Sequence, residues 1–140
     1  MFRKILVGFD GSDGSWRALR AAILLTREQE AELWALSVEG QIPHFAATVD
    51  EVEEEKEFAN HYYESLQEQA KKMASESGVA LHIDIKAGHV AQTVVRFAEQ
   101  EGFDLIVMGH SGHSGVWANF LGTTTEKVSR HAPCSVLIVR

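Results

Sequence analysis

Residues 109–125 read GHSGHSGVWANFLGTTT, and they separate a short apolar run, Leu105-Ile106-Val107-Met108, from a helical pattern that begins near Thr124. This stretch predicts a glycine-rich loop between a buried strand and the first turn of a helix. Such a loop suits an anion, because the first N–H groups of a helix have no partner inside it and the helix dipole favours negative charge there. Glycines also let the backbone approach a phosphate without an intervening Cβ.

The rest of the chain alternates in the same way between strand-like and helical patterns. The continuous apolar run at 5–9 predicts a strand buried on both faces, the largely apolar segments 32–38 and 135–139 predict two more strands, and the strict alternation of 81–86 predicts an edge strand. Helical spacing predicts a helix capped by Ser12 or Asp13, a second over about 50–77, and a third over about 89–101. Five strands alternating with helices predict a single α/β domain, 1–140, with a parallel sheet and right-handed crossovers.

Two finer predictions concern the helices. We expect the long helix to bury one stripe of side chains, formed by Val52, Ala59, Tyr62, Leu66, Ala70 and Met73. The last helix matches a capping box, with Thr123 at the N-cap and Glu126 three residues later.

Composition limits the possible partners. The formal net charge is −7 and Lys and Arg form no cluster in the sequence, so we expect no general binding to nucleic acid. The acidic run within 50–57 is typical of a solvated helix start. No apolar run approaches the roughly 20 residues of a membrane span, and the chain begins directly with a strand rather than a signal peptide. The single cysteine, Cys134, suits a reducing compartment, and these features predict a cytoplasmic protein without membrane association.

The glycine spacing resembles that of a known family. Gly109, Gly112, Gly122 and Thr123 match the pattern G-x2-G-x9-G-[ST] of the nucleotide-binding universal stress proteins. The segments KILVGFDGS (4–12), DLIVMGHSGHSG (104–115) and EKVSRHAPCSVLIVR (126–140) are also similar to that family, so the resemblance covers essentially the whole chain. It implies the strand order 3-2-1-4-5 with helices on both faces, and it places Asp10 beside Gly109 at the crevice where the order reverses.

The resemblance also implies a site for ATP or AMP. The phosphates would lie against Gly109, Ser111, Gly112, Gly122, Thr123 and Thr124, although the same pattern also fits a structural loop with Thr123 only capping its helix. Asp10 would bind the ribose or a Mg²⁺ ion on the phosphates, or else it only forms a turn. The backbone of Val38 would meet the adenine between Phe9 and Met108, whose side chains equally suit core packing.

The centre of the loop departs from the family pattern. Many nucleotide-binding members carry Arg where this chain has His113, and Lys or Arg near Ala118 and Asn119. Without that charge a triphosphate loses charge-assisted hydrogen bonds, each worth about 1.5–3 kcal/mol. We therefore expect reduced affinity, competition by AMP, a need for Mg²⁺, or a contribution from protonated His113 that strengthens binding toward about pH 6.

The sequence offers no catalytic pattern. Neither Ser111 nor Ser114 completes G-x-S-x-G, and no P-loop occurs. His110 and His113 lack a third metal ligand at suitable spacing, and Cys134 reads as a packing residue. We therefore expect a regulatory binding module in the stress response, with any ATP hydrolysis slow. The alternatives are a nucleotide-free dimerisation or partner-binding module, or a slow nucleotide hydrolase or transferase.

The last strand predicts self-association. In the implied order, Ser135–Val139 lies at an edge of the sheet although it is apolar throughout. An exposed apolar edge promotes aggregation unless it is covered. Pairing with the same strand of a second copy would cover it, and members of the family commonly dimerise there. We therefore expect a homodimer, whereas the sequence does not identify any other protein partner.

Overall fold

The computed structural model describes residues 1–40, 49–111 and 121–140, without the side chains of 49–52, 55 and 59. Strands and helices alternate along the described chain. Their bounds are β1 (Lys4–Gly8), α1 (Asp13–Gln29), β2 (Glu32–Glu39), α2 (Val49–Glu76), β3 (Leu81–Ala87), α3 (Val90–Glu101), β4 (Leu105–Gly109), α4 (Thr123–His131) and β5 (Ser135–Val139). No helix in the described ranges has both the length and the apolar character that a membrane crossing requires.

The five strands form one parallel sheet in the order β3-β2-β1-β4-β5. The chain therefore has the predicted α/β fold and the predicted strand order. The order reverses between β1 and β4, where Val7 lies opposite Val107. β3 and β5 are the edge strands.

Helices cover both faces of the sheet, so β1 is buried on both sides. Ile5 and Val7 point into a core formed with α1 and α2, whereas Leu6 points into a second core formed with α3 and α4. All three side chains are fully buried, which explains why the strand is a continuous apolar run rather than an alternating one.

The buried stripe of α2 differs from the prediction by one tyrosine. Tyr62 is 49% exposed, whereas Tyr63 packs against the core in line with the buried Leu66, Ala70 and Ala74. Helical spacing accommodates either tyrosine, and the choice depends on packing at a distance, since Leu66 is held against Gly11 in the loop after β1. Val52 and Ala59 were also predicted on this stripe, but their side chains lie outside the described ones.

The start of α1 lies directly against the end of β4. A Cβ added to Gly109 would lie 2.7 Å from the backbone carbon and oxygen of Gly14, and a Cβ on Gly14 would overlap the backbone oxygen of Ser111. Backbone therefore packs on backbone at this point, and the fold itself requires glycine at both positions.

Replacing Gly109 by Ala is expected to lower the free energy of unfolding by about 1–3 kcal/mol, because the new Cβ meets backbone atoms that cannot rotate aside. Equilibrium urea denaturation measures this change. Gly122→Ser is the matched control, since a Cβ there meets atoms no closer than 3.5 Å. An equal loss in the two variants would contradict the close contact.

Candidate functional site

A cavity of about 430 Å³ lies at the carboxyl ends of β1, β2 and β4, beside the first turn of α4. Open parallel sheets bind ligands at this position, where the strand order reverses. Nine residues predicted for the site line the cavity: Phe9, Asp10, Val38, Met108, Gly109, Ser111, Gly122, Thr123 and Thr124. The other two predicted residues, Gly112 and His113, lie outside the described part of the chain.

The first turn of α4 borders the cavity with N–H groups that have no partner inside the helix. Gly122 is the N-cap in extended conformation and forms no side-chain cap hydrogen bond. The first helical bond to close on it joins the N–H of Glu126 to the Gly122 carbonyl, at 2.9 Å. The N–H groups of Thr123, Thr124 and Thr125 therefore have no partner inside the helix, and they lie at the positive end of its dipole.

The predicted capping box is wrong. Thr123 is the first helical residue rather than the N-cap, and the Glu126 carboxylate pairs with Arg130 at 2.6 Å instead of reaching back to the cap. The helix begins one residue earlier because the Gly122 N–H donates to the His110 carbonyl at 2.8 Å, which holds Gly122 in its extended conformation.

A side chain of the same turn ties α4 to the sheet. The Thr125 hydroxyl donates to the Gly109 carbonyl at 2.7 Å, and Thr125 is buried. Gly109 therefore contacts α1 through its Cα and α4 through its carbonyl. This arrangement positions the first turn of α4 at the edge of the cavity.

Asp10 combines the turn-forming role with a place at the cavity. Its Oδ1 accepts hydrogen bonds from the Ser12 N–H at 2.9 Å and the Ser12 hydroxyl at 2.6 Å. Ser12 in turn caps α1, since its hydroxyl accepts from the Ser15 N–H, so the Ser12 cap is as predicted. The Asp10 side chain is exposed, and it is the only charged one among the described residues that line the cavity.

The apolar walls of the cavity also belong to the core. Phe9, Val38 and Met108 are each at most 7% exposed, so the core-packing role expected as the alternative is present for all three. The Phe9 ring meets Trp16 edge to face, with centroids 4.8 Å apart. These side chains are therefore rigid and give the cavity a preformed apolar wall.

A buried polar chain that the sequence analysis missed holds the backbone of this wall. Gln67 of α2 is fully buried, and its amide Nε2 donates to the Ser37 hydroxyl at 2.7 Å. Ser37 donates in turn to the Phe9 carbonyl at 2.6 Å, while the Phe9 N–H donates to Leu36. The residue before Asp10 is thus held at both of its backbone polar groups.

Tyr63 is a second residue that sequence reasoning missed. It reaches the cavity from α2, half-buried, between the ends of β1 and β2. Burial raises the pKa of its phenol above 10.0, and the nearby Asp10, Tyr62 and Glu39 raise it further. The hydroxyl therefore stays protonated at neutral pH as a hydrogen-bond donor. Its signal in the sequence was ambiguous because Tyr62 is adjacent.

Two kinds of reactive group can be examined among the described residues, a metal-binding cluster and the cysteine thiol. Within 1–40, 49–111 and 121–140, no group of three His, Cys, Asp or Glu side chains is placed to hold a metal ion. Cys134 packs against the core on the α3 and α4 side, and burial, followed by the charge of Asp104, raises the pKa of its thiol. A raised pKa disfavours the nucleophilic thiolate.

Away from this cavity, α3 and α4 bring basic side chains together. A groove of about 440 Å³ between the two helices is lined by Arg96, Lys127, Arg130 and His131, together with the acidic Glu99. The sequence showed no basic cluster because Arg96 is distant along the chain from the other three. The folded protein therefore concentrates positive charge locally although its net charge is negative.

The chain is a doubly wound α/β protein with a cavity at the point where the strand order reverses, which is where α/β proteins of this class bind ligands. Residues 1–140 match the model of the universal stress protein family. The chain belongs to the universal stress protein family.

Individual relatives agree with this assignment. The chain is 38% identical to the universal stress protein YxiE of Bacillus subtilis, over 100% of both chains. The universal stress protein UspA from Lactobacillus plantarum has a TM-score of 0.90 at 28% identity, covering 99% of this chain and 98% of that one. A universal stress protein in complex with cAMP has a TM-score of 0.77 at 25% identity, covering 99% and 97%. The family resemblance seen in the sequence is confirmed.

The position of Tyr63 predicts that its phenol has a raised pKa and ionises at higher pH than an exposed tyrosine. Absorbance at 295 nm is expected to show a tyrosine titrating above pH 10.0 that disappears in Tyr63→Phe. Asp10→Asn is expected to lower this pKa by removing the negative charge. Because the unfolded phenol ionises first, stability falls as pH rises above the unfolded pKa. A difference titration between wild type and Tyr63→Phe centred at or below 10.0 would contradict this placement.

Proposed function

We propose that this protein is a cytoplasmic regulatory module of the stress response that binds an adenine nucleotide, ATP or AMP, in the cavity at the strand-order reversal. The observation that carries the proposal is the first turn of α4, whose N–H groups border the cavity without partners inside the helix. A phosphate supplies the negative charge and the acceptor oxygens that such a turn binds.

The phosphates would lie at the α4 end of the cavity. Gly122 leaves room for them, because even a Cβ placed there would meet protein atoms no closer than 3.5 Å. We assign the phosphate contacts to Gly109, Ser111, Gly112, Gly122, Thr123 and Thr124, with His113 as a candidate cation. Among these, Gly112 and His113 are assigned from the sequence pattern alone.

The nucleoside would occupy the end of the cavity toward β1 and β2. Phe9 and Met108 would form its apolar walls, and the backbone of Val38 would meet the adenine edge. Asp10 has one carboxylate oxygen engaged by Ser12, which leaves the other for a ribose hydroxyl or for Mg²⁺ on the phosphates. The solved relative that holds cAMP supports an adenine nucleotide as the ligand class.

We propose binding rather than turnover as the main role. Asp10 is the one acid among the described residues that line the cavity, and its Oδ1 already accepts two hydrogen bonds within its own turn. Its other oxygen is assigned to the ribose or to Mg²⁺, which leaves no acid among the described lining residues to take a proton from an attacking water. Any hydrolysis of ATP should therefore be slow.

Wild-type protein is expected to bind ATP or AMP, and Gly122→Ser is expected to weaken that binding about 10–100-fold. The serine side chain would cap α4, taking up an N–H group that a phosphate needs, and its Cβ would narrow the approach. Isothermal titration with and without Mg²⁺ measures the affinities, and mass spectrometry of the denatured protein identifies any nucleotide that copurifies.

Gly122→Ser separates binding from folding, because a serine N-cap preserves the helix. Its unfolding midpoint in urea should match the wild type, and adenosine, which has no phosphate, should bind both proteins equally. Wild-type protein that is empty and binds neither ATP nor AMP would overturn the nucleotide proposal.

That failure would favour a second candidate, a nucleotide-free module that binds a protein partner. The basic groove between α3 and α4 is the observation that favours it, since Arg96 and Lys127 make no ion pair with a described residue. Exposed cations without partners suit an acidic protein surface. No general nucleic-acid binding is proposed, because the patch is small and the chain carries a net charge of −7.

We further propose a homodimer through β5. This strand lies at the edge of the sheet, and its central residue, Leu137, is 38% exposed. Pairing with β5 of a second copy would satisfy the free edge and cover the leucine.

Leu137→Lys is expected to shift the protein from dimer to monomer. The lysine places a positive charge on the pairing edge, and the two-fold axis brings the same charge of the second copy close to it. Sedimentation equilibrium measures the mass. Phe58→Lys is the control, since Phe58 is 77% exposed on α2, which packs at the other side of the sheet. A dimer that survives Leu137→Lys, or a wild-type monomer, would contradict the proposal.

A further inference from the structure

The Tyr63 side chain reaches the candidate cavity from α2, and α2 contributes no other residue to the described lining of the cavity. Its body packs against the core formed with α1 and α2. Its hydroxyl forms no hydrogen bond with any described residue, although it borders a cavity lined by polar groups. A ring that packs against the core thus places a hydroxyl donor without a described partner at the rim of the site.

The surroundings of Tyr63 place it at one particular end of the cavity. Its electrostatic neighbours are Asp10, directly after β1, and Glu39, at the end of β2. In the sheet, β2 and β4 lie on opposite sides of β1. Tyr63 therefore lies on the side away from β4 and α4, which carry the glycines and the unpaired N–H groups.

We propose that the Tyr63 hydroxyl donates a hydrogen bond to the nucleoside part of the bound nucleotide. This inference rests on the proposed function. Asp10 and Glu39 near the phenol repel a phosphate unless a cation lies between them, whereas ribose hydroxyls and base nitrogens are neutral acceptors. The phosphates and the nucleoside are then recognised by separate elements, α4 and α2.

Tyr63→Phe removes the hydroxyl and retains the ring, so it isolates the hydrogen bond. It is expected to weaken the binding of adenosine, AMP and ATP by the same factor, about 5–10-fold, because the lost contact is to the part that all three ligands share. Isothermal titration measures the three affinities. Tyr62→Phe is the matched control and should leave all three unchanged, since Tyr62 does not line the cavity.

The outcomes separate this inference from the function on which it rests. Wild-type affinity of Tyr63→Phe for all three ligands would overturn the inference alone, as would a loss that appears only with the phosphorylated ligands. If the wild-type protein binds none of the three, the proposed function fails and the inference fails with it. Urea denaturation should give Tyr63→Phe the stability of the wild type, because the hydroxyl has no partner within the described protein.

Discussion

The backbone contact between Gly14 and Gly109 holds the start of α1 against the end of β4, and the candidate site depends on it. α1 follows β1 through the turn that carries Asp10, so the contact also determines how close Asp10 lies to the glycine end of the cavity. Gly109 accepts a hydrogen bond from Thr125 as well. One residue therefore joins the sheet to both helices that border the crevice.

Gly109 and Gly122 contribute equally to the sequence pattern, but glycine is needed at the two positions for different physical reasons. Gly109 has no room for a side chain, because Gly14 occupies that space. Gly122 has room for one, and its φ of −61° is open to any residue. The glycine at 109 is thus explained by the fold alone, whereas the glycine at 122 needs a further reason, and the approach of a ligand supplies one. Spacing in the sequence cannot separate these cases, since both contribute one Gly to the pattern.

Sequence patterns predicted the elements well because burial leaves a direct mark: β1, which is buried on both faces, is an apolar run, whereas the edge strand β3 alternates. The strand order came from the family resemblance, since periodicity carries no information about which strands are neighbours. The two errors, the cap at Thr123 and the tyrosine of α2, arose where neighbouring residues satisfy a local rule equally well. Contacts distant in the chain, from Gly122 to His110 and from Leu66 to Gly11, decided between them.

The charges that line the cavity affect how many phosphate groups a bound nucleotide can carry. Among the described lining residues there is no cationic side chain, and the one acid is Asp10. The positive contribution that remains is the start of α4, equivalent to about half an elementary charge and acting within the first turn. That offsets only part of the charge of one phosphate group, and each further phosphate adds negative charge that the helix cannot offset. A triphosphate would need a cation from elsewhere, and Mg²⁺ fits this requirement best because Asp10 and the phosphate oxygens are the hard oxygen ligands that it prefers.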